Sequence, residues 1–209
     1  MTRNPRLRVL GGLALAAAPV VYVVTEAIAA AAWTNPPYSH AEDYVSDLGV
    51  TGPRETFLKH DIYSPLAPGM NAGFIADGLL ALLAAGITLV GVFHGSRLSQ
   101  QAGTLVFHFL GAPVAIIAGN AITILAGTGA AALGLSPRLR WPLIILGIAG
   151  ITALAVEILI IGGLPHFPAG IFERLAVYAV LASQLTLGLA ATGARRLTAT
   201  ATPVKAAAA

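Results

Sequence analysis

The sequence contains no cysteine, and charged residues make up only 10% of its 209 positions. The lack of cysteine excludes disulfides, iron–sulfur clusters and thiolate catalysis. Soluble domains carry about 25% charged residues, so the few charges here do not suffice to cover a soluble surface of this size. We therefore expect lipid to be much of the solvent around this chain.

Motifs for several activities are also missing. There is no glycine-rich phosphate loop with its lysine and no Gly-x-Ser-x-Gly turn, which argues against nucleotide-driven transport and serine hydrolysis. No histidine pair has the spacing of a metal site, so the sequence predicts neither a metal nor another cofactor. The net charge of +3 comes from residues that flank apolar runs. Basic residues in such positions typically set the orientation of a chain in the membrane. They do not form the basic patch of a nucleic-acid-binding protein, so no nucleic-acid partner is predicted.

Five apolar runs dominate the chain. They cover residues 9–33, 65–93, 102–130, 141–164 and 175–194. Each reaches the ~20 residues that cross a bilayer, and backbone groups in lipid must bond internally, so all five are expected to be helices. The sequence thus predicts an all-α, polytopic transmembrane helix bundle of five or six passes in the cell membrane. We expect one domain over residues 1–194, an extramembrane loop at 34–64 and a disordered tail at 195–209.

The first run has a second interpretation. Arg3, Arg6 and Arg8 precede it and "AIAAAAW" ends it, as in a cleavable signal peptide. Its apolar core is long for that role, and we favour an uncleaved first helix. With five passes, the positive-inside rule does not orient the chain. An even number would place these arginines on one side with Arg138, Arg140 and the C-terminal cations.

The stretch "NPPYSHAEDYVSDLG", which follows the first run, is crowded with polar groups. Ser39 and Glu42 have the spacing of a capping box. We therefore predict a short amphipathic helix over His40–Leu48, lying on the membrane surface after the first span. One stripe of this helix carries His40, Asp43 and Asp47. The stripe either faces water or lines the mouth of a site between helices.

Several short motifs resemble a known family. They are "PPYSHAEDYVSDLG", "SPLAPGMNAGFIADGLL", "LVGVFHGS", "HFLGAPVAIIAGNAITILAG" and "GIFERLAVY". In this order they resemble the prokaryotic multi-pass membrane family known as domain of unknown function 998, over residues 38–188. The resemblance implies a small helical membrane protein, usually of about six passes, without an established activity.

The chain departs from that family pattern at one place. The family has an additional helix between the Met-Asn and Val-Phe-His motifs, whereas this chain has room there for one crossing. Either this member lacks a pass, or residues 65–93 form a re-entrant element.

The resemblance also implies a candidate ligand-binding site. The matching positions are Tyr38, Ser39, Asp43, Ser46, Asp47, Asn71, His94, His108, Asn120, Glu173, Arg174 and Tyr178. The polar stripe adds His40. If the family topology holds, four histidines gather on one membrane face with Asp43 and Asp47. These histidines are His40, His94, His108 and His166. The alternative is that they are interfacial residues bonded to water and backbone.

Three acids interrupt the apolar runs, namely Glu26, Asp77 and Glu157. A charge at the centre of a bilayer costs roughly 2.5–3.5 kcal/mol, so an intramembrane acid is a functional candidate by default. No lysine or arginine lies within a predicted span to neutralise them, and a protonated acid is suited to donate a proton. The candidate general acids are Asp77, Glu157 and Asp47. The alternative is that each acid hydrogen-bonds a neighbouring helix, with Asn120, Thr123 and Gln184 as partners.

The motif "FERLAVY" places Arg174 and Tyr178 on one helical face. Glu173 is predicted to start the last helix, where its charge suits the positive end of the helix dipole. Arg174 is expected either to anchor this helix at the interface or to contact an anion.

Three functions follow from these features. The favoured one is a non-enzymatic membrane protein that binds a membrane lipid, a small hydrophobic molecule or a membrane partner at a polar site on one membrane face. The second is an integral-membrane enzyme that uses a carboxylic acid on an isoprenoid or lipid substrate, as terpene cyclases do. The third is a proton-coupled carrier, for which the sequence lacks paired halves. The sequence leaves the oligomeric state open.

Overall fold

Five helices make up the fold of the computed structural model, which describes residues 5–51, 54–57, 60–88, 104–163 and 168–199. The helices are α1 (Pro5–Ala32), α2 (Ala67–Thr88), α3 (Thr104–Thr128), α4 (Arg140–Ile161) and α5 (Ala169–Ala199). Each overlaps one of the five apolar runs, as expected of segments whose backbone groups must bond internally in lipid. The all-α prediction is confirmed.

Three stretches are long and apolar enough to cross a membrane. They are Arg6–Ala32, Pro137–Ile161 and Ala169–Gly193. The apolar parts of α2 and α3 in the described residues, Ala67–Leu83 and Pro113–Thr128, are shorter. The fold is therefore that of a membrane protein with three candidate spans among the described residues, and the prediction of five or six passes stays a prediction.

The connections carry small elements of their own. A 3-10 helix covers Ser46–Gly49, and an antiparallel pair, β1 (Glu55–Phe57) and β2 (His60–Ile62), follows it. The helix α5 begins at Ala169 and continues to Ala199, past the predicted end of the last span at 194. Helical structure thus includes the first part of the predicted tail, whereas residues 200–209 lie outside the described residues.

The helix directions follow from contacts between named positions. The chain from residue 34 to residue 51, here called the collar, lies at the end of the bundle where α1 ends and α2 begins. The helix α5 is antiparallel to α1, because Glu26 contacts Arg174 while Gly12 packs on Gly188. It therefore starts at the collar end and runs away from it.

The helix α3 runs in the same direction as α5. Asn120 bonds to Ala176. Thr123, one turn further along α3, bonds to Ser183, two turns further along α5. The helix α3 therefore runs from the collar end to the opposite end. The helix α2 does the same, because it begins at the collar. The helix α4 is antiparallel to α3, since Gly127 packs on Arg140 near the start of α4.

A buried apolar cluster lies directly beneath the collar. It joins Trp33, Val45 and Leu48 to Tyr22 of α1 and Met70 of α2. Its burial is the main stabilisation expected for a segment that the sequence makes otherwise polar, because each fully buried large apolar side chain contributes about 1.5–3 kcal/mol. This cluster positions the polar groups described next.

Candidate functional site

The predicted helix over His40–Leu48 is wrong. Residues 40–42 form a turn, and only Ser46–Gly49 are helical, as a 3-10 helix. Two buried side chains of α5 compete for the backbone groups that such a helix would pair with each other. Glu173 accepts the N–H groups of Val45 and Ser46, and Arg174 donates to the carbonyls of His40 and Asp43.

The predicted capping box is confirmed in one of its two hydrogen bonds. Glu42 donates its N–H to Ser39 Oγ at 3.3 Å, as a capping box requires. The reciprocal bond comes from Asp43, whose Oδ2 accepts the Ser39 N–H at 2.7 Å. The Asp43 N–H in turn donates to the Ser39 carbonyl at 2.8 Å. These bonds close a single turn at the start of the collar.

The predicted polar stripe does not lie on one exposed face. His40 is exposed, Asp43 is half-buried, and Asp47 is only 6% exposed. The Asp47 Oδ2 accepts the N–H of Tyr44 at 3.2 Å. Two of the three side chains therefore hold the collar backbone.

Arg174 lies at the centre of the site. Its Nε donates to Glu26 Oε1 at 3.0 Å, and the two side chains are 9% and 3% exposed. Tyr178, one turn along α5, donates its hydroxyl to Glu26 Oε2 at 2.8 Å. The expectation that Glu26 has no cationic partner within the spans is corrected. Arg174, which was expected either to anchor the helix at the interface or to contact an anion, contacts the Glu26 carboxylate. Because Tyr178 and Arg174 share one helical face, both reach the same carboxylate.

Tyr38 connects this ion pair to the collar. The Arg174 guanidinium donates to the Tyr38 hydroxyl and lies 5.3 Å from the centroid of its ring. The hydroxyl itself donates to the Tyr44 carbonyl at 2.9 Å. Burial raises the pKa of Tyr38 well above its ordinary value, although Arg174 acts to lower it. The phenol therefore keeps its proton and remains a hydrogen-bond donor.

Glu173 holds the second half of the collar. It lies in the second turn of α5 and not at the helix start, which corrects the predicted position. Besides its bond to Val45, its Oε1 accepts the Ser46 N–H at 3.3 Å. Burial, followed by the charges of Glu157, Asp47 and Glu173, raises the pKa of Tyr44 to about 12. Acids from α4, α5 and the collar thus lie close enough to act on Tyr44.

The helix α2 holds the collar from its other side. Asn71 Nδ2 donates to the Gly49 carbonyl at 2.8 Å. Ser64, just before α2, donates its hydroxyl to the Leu48 carbonyl at 2.6 Å. The collar is thus hydrogen-bonded to two helices, α5 and α2, and it continues directly from the end of α1.

Most candidate positions from the sequence take part in this network. They are Tyr38, Ser39, Asp43, Ser46, Asp47, Asn71, Glu173, Arg174 and Tyr178. For Ser46 the contact is made by its backbone N–H. His40 contributes its carbonyl, and its ring lies 5.1 Å from that of Tyr38. Glu26, which the sequence placed only among the intramembrane acids, is the ionic partner at the centre.

Other candidates lie elsewhere. Asn120 is fully buried in α3 and donates to the carbonyls of Ile116 and Ala176 at 2.9 and 3.0 Å. His94 and His166 lie outside the described residues, as does the side chain of His108. Within the described ranges, no group of three or more His, Cys, Asp or Glu side chains could hold a metal ion.

Two of the candidate general acids keep a buried oxygen without a hydrogen-bond partner among the described residues. These atoms are Glu157 Oε2 and Asp77 Oδ1. The Asp77 side chain interacts with Gln184 of α5, whose Oε1 is likewise unpartnered within the described part of the chain. Glu157 lies close enough to Tyr44 to affect it electrostatically. The third candidate, Asp47, is engaged with the collar backbone.

A groove of about 450 Å³ opens beside the collar at the end of α1. Its lining residues are Ala27, Ala30, Ala31, Trp33, Thr34, Pro37, Tyr38 and His40. The alanines form its floor, because residues three and four apart lie on one helical face. Sequence reasoning missed the groove, since alanines in an apolar run are ordinary. The available signal was their spacing directly before a tryptophan.

Comparisons with protein-family models, with curated proteins and with solved structures found no match. The class that fold and site define is a helical membrane protein with a polar collar fastened over one end of its bundle. The resemblance to domain of unknown function 998 stays a prediction.

Proposed function

We propose that this protein is a non-enzymatic, multi-pass cell-membrane protein that binds a lipid or a small hydrophobic molecule in the groove beside the collar. The groove carries this proposal. Its volume lies within the 300–1,000 Å³ typical of small-molecule sites, and it combines an apolar floor with a polar rim.

The hydrogen-bond network supports a positioning role for the polar cluster. Arg174 already donates to Glu26, to Tyr38 and to the carbonyls of His40, Asp43 and Gly170. A guanidinium donates through three nitrogens, and in Arg174 each of them, Nε, Nη1 and Nη2, already has an acceptor within the protein. The network therefore fixes the collar, and the adjoining groove takes the ligand. Tyr38 belongs to both and couples them.

The experiment that tests this function fills the groove. Ala31 is exposed within it, so Ala31→Phe adds a large side chain without a change in the core. We expect the purified wild-type protein to retain a lipid or small hydrophobic molecule in native mass spectrometry, and Ala31→Phe to lose it. Ile28→Phe is the matched control, because Ile28 is 56% exposed on α1 and outside the groove. Equal retention by both variants would reject the groove as the site.

The helix directions also support an even number of passes. The helix α2 ends at the opposite end and α3 begins at the collar end, an arrangement that fits six passes better than five. We propose six crossings with both termini on one side. That side holds the exposed cations Arg6, Arg8, Arg138 and Arg140, which makes it the cytoplasmic side by the positive-inside rule. The collar and groove would then face the other side.

One observation favours the enzyme as a second candidate. Glu157 is only 7% exposed, and its Oε2 lacks a hydrogen-bond partner among the described residues. A carboxyl group in dry surroundings is the group needed to protonate an alkene. If the protein is such an enzyme, Glu157→Gln abolishes turnover of an isoprenoid substrate while the fold survives. A role in packing predicts that the thermal stability changes first.

A further inference from the structure

We propose that the groove takes an uncharged amphiphile with a hydroxyl head group, such as a long-chain alcohol. Its chain would lie along the alanines of α1 and its hydroxyl between Thr34 and His40. The inference rests on the proposed function and names the ligand class of the same site.

The floor of the groove fits a hydrocarbon chain. The side chains of Ala27, Ala30 and Ala31 end at the methyl group, so they leave a shallow channel along the surface of α1. The Trp33 and Tyr38 rings, 5.3 Å apart, form a wall. Such a surface offers a chain only apolar and aromatic contacts, which contribute in proportion to the area removed from water.

The rim offers two uncharged polar side chains. Thr34 and His40 are both exposed and both line the groove. Neither side chain makes a hydrogen bond to another residue in the described part of the protein. A threonine hydroxyl and an imidazole each donate and accept hydrogen bonds. A ligand hydroxyl, which also does both, is their complement.

Charge decides against ionised head groups. Among the described residues, no Asp, Glu, Lys or Arg lines the groove. Arg174, which contacts Tyr38, is paired with Glu26. Arg54 is close to the rim, but its guanidinium donates to the Asn35 carbonyl and lies over the Tyr63 ring, so a carboxylate would have to draw it away from these partners. An ammonium group would meet no acid among the lining residues, and desolvation of an unpaired charge is costly. The hydroxyl head group meets no such cost.

Trp33 makes the binding measurable. The chain has two tryptophans, and Trp141 lies at the opposite end of the bundle, 63% exposed. In a Trp141→Phe variant the fluorescence comes from the groove alone. We would titrate three brominated C18 probes at pH 8: an alcohol, a fatty acid and an alkyltrimethylammonium. Trp33 is only 3% exposed but lines the groove, and bromine quenches tryptophan at short range, so a bound probe reaches it. The variant Trp33→Phe, which reports Trp141, corrects for partition into the detergent.

We expect saturable quenching by the alcohol at a concentration about tenfold lower than by either charged probe, and we expect Thr34→Val to remove this preference. If a charged probe quenches as well as the alcohol or better, the hydroxyl class is wrong and the groove remains a ligand site. If no probe quenches saturably and Ala31→Phe retains as much ligand as the wild-type protein in native mass spectrometry, both the ligand class and the proposed function are wrong.

Discussion

Arg174 and Glu26 form a buried ion pair, Nε to Oε1 at 3.0 Å, that joins the start of α5 to the end of α1. Since the same guanidinium also bonds to two collar carbonyls, one side chain fastens two helices and the loop above them. The pair therefore links the packing of the bundle to the shape of the groove.

Loss of the Arg174 side chain is expected to destabilise the protein strongly. Arg174→Met leaves Glu26 buried without its counter-charge, which costs about 3–5 kcal/mol, and it frees the His40 and Asp43 carbonyls. The thermal unfolding temperature in detergent should fall steeply. Arg138→Met, at an exposed arginine of the opposite end, is the matched control and should leave it unchanged. Similar unfolding temperatures for the two variants would contradict the role given to the pair.

Glu173→Gln is expected to loosen the collar without unfolding the bundle. The carboxylate uses both oxygens on the Val45 and Ser46 N–H groups, and an amide has one acceptor oxygen. A hydrogen bond to a charged group contributes about 1.5–3 kcal/mol, so amide exchange in the collar should speed up by roughly 10- to 100-fold. Hydrogen–deuterium exchange of the peptide that contains residues 44–48 measures this. The exposed Glu42→Gln serves for comparison, and equal protection in both variants would refute the bond.

The all-α membrane fold could be predicted from the sequence because lipid leaves helices as the only way to pair backbone groups within an apolar run. The collar was harder. A capping box and an amphipathic pattern correctly located its first turn, but the local pattern says nothing about Glu173 and Arg174, which lie more than 120 residues further along the chain. These two buried side chains compete with the local backbone bonds and prevent the helix.

The candidate site, like the collar, was predicted only where local motifs determine it. Family motifs pointed to Tyr38 and Arg174, which meet in the structure. The link to Glu26 required the antiparallel packing of α1 and α5, which no single segment of the sequence encodes. The groove was invisible because it is defined by the small size of the alanines and not by a chemical group.

Gly150→Ala is expected to disturb the packing of α3 on α4. A Cβ at Gly150 would lie 2.0 Å from Asn120 Oδ1, and Asn120 cannot move away without the loss of its bond to Ala176. Overpacking of this kind costs about 1–3 kcal/mol, which a lower unfolding temperature would report. At Gly78 of α2 a Cβ meets no atom of the described residues within 4 Å, so Gly78→Ala should be neutral or stabilising by about 0.5–1 kcal/mol. Equal changes in unfolding temperature for the two variants would mean that α4 does not approach Asn120 closely at Gly150.

The two ends of the bundle are expected to label from opposite sides of the membrane. The chain has no cysteine, so single substitutions give an unambiguous signal with an impermeant thiol reagent. Glu42 lies exposed in the collar and Ser136 lies exposed before α4, beside Arg138 and Arg140. The proposed orientation places the cations of the opposite end in the cytoplasm. It predicts that Glu42→Cys labels on intact cells and Ser136→Cys only after permeabilisation. The unsubstituted protein is the blank. Labelling of both variants from one side would exclude the helix directions on which the six crossings rest, and the reverse pattern would invert the proposed orientation while leaving those directions intact.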